Sequence, residues 1–436
     1  MAVILTACST VPRPKPIPTG SLDKFQKHAE KFNEVVTVPT FETTTDEVAA
    51  TTSKVIADGN AGLDRISQLK ASEVNFTNTI RALDDVGYIV ESAENRLDLI
   101  EQTSTNADVR DAATDAIKKI SDWSVGTDYR EDVYAAVKAY AATQPLLEGE
   151  DKKLFDETAR DYRRAGLHLP KDQRDEVEKL RKHLTALETD YENNVTKATK
   201  IVKFTKTELE GVPEDFLTQQ GIKTGDDEYT LKANITFHYI MVEDNAKRED
   251  TRKKMLVAQY NLAREDNISL LQKILVLRDE IAHQLGYASW ADYATEVRMV
   301  KNAATAIAFE EKLKTGLQPK FDAELEEFRQ LKMKETGDTN AMINVWDWRY
   351  FANELKKTKY NVDAEQLRAY FPYGRVLEGL FAIYQHIFGL KFERVEAPYK
   401  WIGDLQLYTV SDAKTGEPLG LFYLDMFPRD GKYNHF

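Results

Sequence analysis

The sequence predicts a mostly α-helical protein: a multi-helix N-terminal domain, then a second helical domain carrying a small antiparallel β element. Three patterns carry that reading. Over residues 21–203 apolar side chains recur at spacings of three and four among charged ones, the period of a helix with one buried face. Over residues 228–239 the period drops to two, with Tyr229, Leu231, Ala233, Ile235, Phe237 and Tyr239 alternating with mostly polar neighbours, as in a half-buried strand. Near the other end, residues 405–410 and 419–424 flank the turn-rich Ser411-Asp412-Ala413-Lys414-Thr415-Gly416, the arrangement of a hairpin.

Each element follows in order. Residues 1–7 are apolar, and Leu5-Thr6-Ala7-Cys8 resembles a bacterial lipobox, in which the cysteine becomes lipidated and anchors the mature chain. No Lys or Arg precedes the apolar stretch, so two readings stand: Cys8 is a lipidation site, or it is an ordinary free cysteine. The alternate prolines from Val11 to Pro18 favour an extended tether. On the first reading the protein resides in a bacterial cell envelope; on the second it is cytoplasmic. In the helical region the clearest stripe is Val177, Leu180, Leu184, Leu187, Tyr191 and Val195, one face of a helix that begins just after Pro170 and packs on neighbouring helices. Leu270, Ile274, Leu277, Ile281 and Leu285 form another, ending at Gly286, a natural left-handed stop. A further stripe through Val376, Leu377, Leu380, Phe381, Tyr384 and Phe388 stops at Gly389.

With 436 residues, 42% of them hydrophobic, the chain exceeds the ~250 to 300 residues at which single cores stop growing. The expected division is a signal remnant and tether at 1–20, a helical domain at 21–240 and a second domain at 241–436. Net charge is −13, which repels phosphate backbones and argues against a nucleic-acid partner. The single cysteine rules out an intrachain disulfide and any thiolate cluster. No apolar run approaches the ~20 residues of a membrane span.

The usual catalytic patterns are absent. There is no Gly-x-Ser-x-Gly elbow and no phosphate-cradling glycine loop ahead of Lys-Ser or Lys-Thr. The histidines are His28, His168, His183, His238, His283, His386 and His435, and no two are four apart. No helix therefore offers the paired imidazoles of a His-Glu-x-x-His zinc site, and no catalytic or metal-ligating residue is assigned. Each histidine is expected to be structural or solvated.

Four stretches carry a resemblance. They are the segment from Asp161 to Pro170, the loop Leu209-Glu210-Gly211-Val212-Pro213, the helix end Leu285-Gly286-Tyr287 with Ala291-Asp292-Tyr293, and a final set. That set comprises Trp346-Asp347-Trp348-Arg349-Tyr350-Phe351, Tyr370-Phe371-Pro372 and the run from Phe422 to His435. In this order they resemble the thimet oligopeptidase, oligopeptidase A and dipeptidyl carboxypeptidase family of zinc metallopeptidases, from about residue 161 onward. The resemblance implies a helical two-domain peptidase that cleaves short peptides in a channel, with zinc held by His-Glu-x-x-His and a downstream glutamate. In that family the zinc helix follows the segment matching Gly431-Lys432-Tyr433, so residues 241–436 are expected to be the first part of the catalytic domain. These residues alone are expected to bind no zinc and to be inactive. The other class of function is a non-catalytic helical lipoprotein that binds peptides or a partner on the same scaffold. Tyr423, Asp425 and Arg429, near the start of the implied active-site helix, are candidates to line the substrate channel.

Asp347 and Arg349, two apart, point different ways on a helix. Asn344 is expected to cap that helix with Asp347 in its first turn, and Trp346 and Trp348 to anchor the core.

Overall fold

A computed structural model of the protein describes residues 16–429 and 431–433; Cys8 and His435 lie outside them. The described residues are mostly helical, with two small antiparallel sheets. They form two compact units, one of Glu42–Gln102 and Asn106–Leu355, the other of the segment up to Phe41, Thr103–Thr105 and Lys356–Lys432.

The larger unit begins where Thr44 and Glu47 satisfy each other's backbone N–H groups in a capping box, which fixes the start of the Thr45–Ser67 helix. Its longest pairing is between the Lys171–Lys197 and Arg264–Gln284 helices. Val177, Leu180, Leu184 and Leu187 pack there against Ile274, Leu277, Ile281 and Leu285, as the two stripes predict. The helices run antiparallel: Glu188 binds Arg278 at 2.5 Å, and Asn194 donates to Asn267 at 2.9 Å. Val195 is exposed, against expectation. It extends past the first turn of the partner helix, where Asn267 already ends the contact.

Two strand assignments need correction. The helical pattern was expected to reach residue 203, but the helix stops at Lys197 and Ile201–Phe204 forms β1, with Val202 and Phe204 buried. The expected strand over 228–239 is only β2, Tyr229–Lys232, paired antiparallel with β1. After it, Ile235 N–H turns back onto the Lys232 carbonyl and Thr236–Asn245 is helical. The alternation through Phe237 and Tyr239 is accidental: Phe237 is exposed and meets Phe216 edge-on. A second core fills the space behind this sheet with Phe204, Leu209, Phe216, Leu231, Val242 and Met255. Its entry loop explains the glycine in Leu209-Glu210-Gly211-Val212-Pro213. Gly211 sits at φ +97°, and a Cβ there would collide with the Asn245 carbonyl oxygen, so only glycine fits.

In the smaller unit the Tyr373–Phe388 helix ends at Gly389 with φ +66°, as the stripe predicts. The chain then enters β3, Leu390–Val395, which the sequence pattern did not reveal. Its buried residues are Phe392 and Val395, three apart, so no clean alternation marks it. The hairpin is β4, Gln406–Asp412, and β5, Pro418–Leu424, giving the antiparallel order β3-β4-β5. Phe381 packs onto Phe392 and Tyr408 at ring separations of 4.8 and 4.9 Å. Val376, Leu380, Tyr384 and Phe388 of the same stripe stay exposed, because the apolar face is broader than the three-stranded sheet beneath it. The outer edge of β3 is covered by the segment at Pro18–Gly20: Arg394 N–H donates to the Pro18 carbonyl and Gly20 N–H to that of Arg394.

Candidate functional site

Tyr423, Asp425 and Arg429 come together at the end of β5, organised by a residue the sequence reading passed over, Trp401. Tyr423 lies on β5 with its ring 5.2 Å from Trp401 and 6.2 Å from Phe41. Its hydroxyl is buried without a hydrogen-bond partner among the described residues, and burial raises its pKa. Asp425, one residue past the strand, accepts from Trp401 Nε1 at 2.8 Å. Arg429 grips the same carboxylate with both terminal nitrogens, at 2.8 and 2.9 Å, and Lys432 Nζ adds a third cationic donor at 3.0 Å. Burial pushes the Asp425 carboxyl up, but the hydrogen bonds from Arg429, Trp401 and Lys432 outweigh it and hold the pKa at about 2. A carboxylate so saturated has no spare lone pair to take a proton at neutral pH. It instead folds the Phe427-Pro428 turn back against the end of β5.

The most specific motif, Trp346 to Phe351, builds a buried ionic cluster in the larger unit. Asp347, fully buried, receives Arg252 Nη2 at 2.6 Å, Lys332 Nζ at 2.7 Å and the Asn344 N–H at 2.9 Å. Arg252 spends its other donors on the carbonyls of Trp346, Ala246 and Lys247 and lies 4.4 Å from the Tyr350 ring centre. Asn344 is therefore not the helix cap. Asp347 immediately precedes the Trp348–Lys359 helix, and the Asn344 side chain donates to Glu249. Arg349 turns to Asp244 at 2.7 Å, so it and Asp347 do point apart. Trp346 is half-buried and donates to Glu249, whereas Trp348, expected in the core, is 46% exposed. The Asp347 network occupies the space inward of the helix start and leaves that indole outside. Beside this cluster Glu243 is 1% exposed, with Oε1 unpartnered among the described residues. Burial raises its pKa to about 8, against the opposing pull of Arg252 and Arg349.

Three histidines spend a ring nitrogen on the backbone: His168 on the Arg163 carbonyl, His283 on that of Asp279, and His238 on the Lys232 N–H. Among the described residues no three of His, Cys, Asp or Glu converge to hold a metal. The described residues therefore offer no donor set that fits a zinc ion. No described helix is long and apolar enough to cross a membrane.

Comparison with known proteins places these motifs. Residues 242–436 match the model of peptidase family M3. The chain is 33% identical to a probable thimet oligopeptidase of Arabidopsis thaliana over 378 residues, covering 84% of this chain and 53% of that protein. It is 28% identical to saccharolysin of Saccharomyces cerevisiae, covering 91% of this chain and 58% of that protein. Oligopeptidase A of Escherichia coli is 25% identical over 89% of this chain and 58% of its own length. The chain thus spans somewhat more than half the length of these relatives, and with motif order, helical fold and these matches in agreement it belongs to peptidase family M3.

Proposed function

We propose that these residues form the substrate-facing N-terminal part of a zinc-dependent oligopeptidase that hydrolyses peptide bonds in short peptides. In this reading the zinc ligands lie outside the 436 residues, which are inactive by themselves. One observation carries it: the edge of β5 away from β4 is unpaired among the described residues, and Tyr423, Asp425 and Arg429 stand on or just beyond that strand. An unpaired edge accepts an extended peptide as an added strand through main-chain hydrogen bonds, which suits short peptides of varied sequence. Tyr423 would flank such a peptide. The Asp425–Arg429–Lys432 clamp would hold the chain after β5 in a fixed direction. The family match, beginning at residue 242, supports a functional division at 21–240 and 241–436, and the oligopeptidase names of the relatives support short peptides as the substrate. Since the described residues offer no zinc donor set, their part is to bind and orient, and no hydrolytic step is assigned to them. A lipid anchor at Cys8, with residence in a bacterial cell envelope, belongs to the proposal on sequence alone.

The test is cleavage of a quenched fluorescent peptide with zinc present. The 436-residue chain is expected to give no turnover, and a polypeptide continuing through a His-Glu-x-x-His helix to give chelator-sensitive turnover. Zinc-dependent cleavage by the 436-residue chain, free of contaminating peptidase, would overturn the assignment, as would an inactive but folded longer polypeptide.

A further inference from the structure

We propose that the larger unit carries a docking groove for an extended peptide segment with acidic side chains, between the outer edge of β1 and the Glu249–Tyr260 helix. This groove lies outside the peptidase reading: it needs no zinc and uses none of Tyr423, Asp425 and Arg429. It has a volume of about 740 Å³ and is walled by β1, by the last two turns of that helix and by the start of the Arg264–Gln284 helix.

The strand register exposes main-chain groups to it. Ile201 and Lys203 stand opposite Lys232 and Thr230. The N–H groups of those two partners turn away from β1, Thr230 to the Ile222 carbonyl at 2.7 Å and Lys232 to His238 Nδ1 at 3.1 Å. One step along, Ala233 N–H donates inward to the Lys200 carbonyl at 2.8 Å. Bonded and non-bonded pairs alternate in an antiparallel ladder, so the N–H and C=O groups of Ile201 and Lys203 point out of the sheet edge, on the wall of the groove. Lys254 Nζ takes the Lys203 carbonyl at 2.6 Å, guarding the edge at that one point. Among the described residues the two N–H groups and the Ile201 carbonyl have no partner. Two donors and an acceptor at the two-residue spacing of a strand are what an added strand engages.

The shape suits an extended chain. Ile201 and Val257 line the groove and are 58% and 47% exposed, apolar surface for peptide side chains. An adjoining hollow at Ile268 and Ser269 shares Asn261, Arg264 and Glu265 with the groove. The path therefore continues along the first turns of the Arg264–Gln284 helix, longer than a compact small molecule needs.

Charge sets the preference for acidic side chains. Lys200, Lys203 and Lys254 stand along the edge. Glu228 holds Lys203 at 3.2 Å and Glu208 holds Lys254 at 3.1 Å, whereas Lys200 makes no ion pair among the described residues. A carboxylate on a strand beside Ile201 would give it one. The acids on the wall, Glu265 and Asp266, sit in the first turn of their helix, where its N-terminal pole offsets them.

Fluorescence anisotropy of the full chain with a labelled peptide of alternating valine and glutamate tests the groove. One-site saturable binding is expected, at least tenfold tighter than for the valine–lysine counterpart and weakening as salt rises. Methylating the nitrogens of either the valines or the glutamates removes alternate main-chain donors and keeps the charge; one of the two sets should weaken binding at least tenfold. Ile201→Pro, which deletes one outward N–H and spares the ladder to β2, and Lys200→Glu should each do the same. Lys153→Glu, an equal charge change at an exposed helical position off the groove, should leave binding unchanged. Lys200 is exposed, so its substitution reads the site even if Ile201→Pro fails to fold. Absence of saturable binding, equal affinity for the lysine peptide, indifference to both methylations, or unaltered binding in folded Lys200→Glu protein would each overturn the proposal.

Discussion

Glu243→Gln should stabilise the larger unit at neutral and alkaline pH and leave it almost unchanged in acid. Glu243 has an ordinary pKa of 4.5 when unfolded and about 8 when folded, because it is buried to 1% exposure and Oε1 has no partner. The folded state therefore binds the proton more tightly. Below the unfolded value both states are protonated and the group is neutral in its effect. As pH rises from about 4.5 to about 8 the unfolded chain gives up the proton first, and stability falls by ~1.4 kcal/mol per unit. The full penalty is about 4 to 5 kcal/mol, reached near pH 8 and constant above it. Glutamine keeps the shape and cannot ionise. Urea unfolding of wild type and variant, followed by tryptophan fluorescence at pH 5, 7 and 9, measures the difference, and pairing the two proteins at each pH cancels all other titrating groups. The variant should gain about 1 kcal/mol at pH 5, about 3 kcal/mol at pH 7 and about 4 or more at pH 9. Parallel stability profiles across that range would refute the claim that Glu243 is held neutral.

Two further outcomes follow from the ionic clusters and a third from the sequence. Arg252→Met should cost about 3 to 5 kcal/mol, since it leaves Asp347 buried with only Lys332 and the Asn344 N–H; unfolding midpoints of the variant read this directly. Asp425→Asn should cost about 2 kcal/mol at pH 7. Its folded pKa of about 2 lies below the ordinary 3.8, so the stability it provides is present above 3.8 and lost as pH falls through 2, and the variant should lose that acid dependence in Trp401 fluorescence. Metabolic labelling with a fatty acid should mark Cys8 in a bacterial host, and failure to label, with fractionation unchanged in Cys8→Ser, would remove the anchor.

The helices were legible where two stripes face each other, because burial of one face dictates a period that survives in sequence. Val177 to Leu187 and Ile274 to Leu285 are such a pair. Strands were legible only when both turn chemistry and alternation agreed, as at β4 and β5. β1 is four residues long and β3 buries residues three apart, so neither leaves a period-two trace, while the alternation through Tyr239 persists into a helix by chance. The ionic clusters were invisible for another reason. Arg252 and Asp347 are 95 positions apart, and Trp401 reaches Asp425 across 24, pairings that no local pattern encodes.

What the matched motifs preserve here is position more than proton transfer. Asp347 is saturated by Arg252, Lys332 and a backbone N–H. Asp425 is saturated by Arg429, Lys432 and Trp401. Glu296, raised by burial but drawn down to about 2 by Tyr287, Arg163 and Arg164, ties the Asp161–Pro170 motif to the helix carrying Tyr293. A general base needs a carboxylate oxygen free to accept its proton, and each of the three already accepts from two cationic side chains. Each instead joins segments distant in sequence, the paired charges fixing angles that apolar contacts alone would leave free to slide. A peptide laid along β5 would then meet a strand end whose direction is set by the Asp425 clamp, so loosening that clamp should impair peptide orientation before it impairs folding.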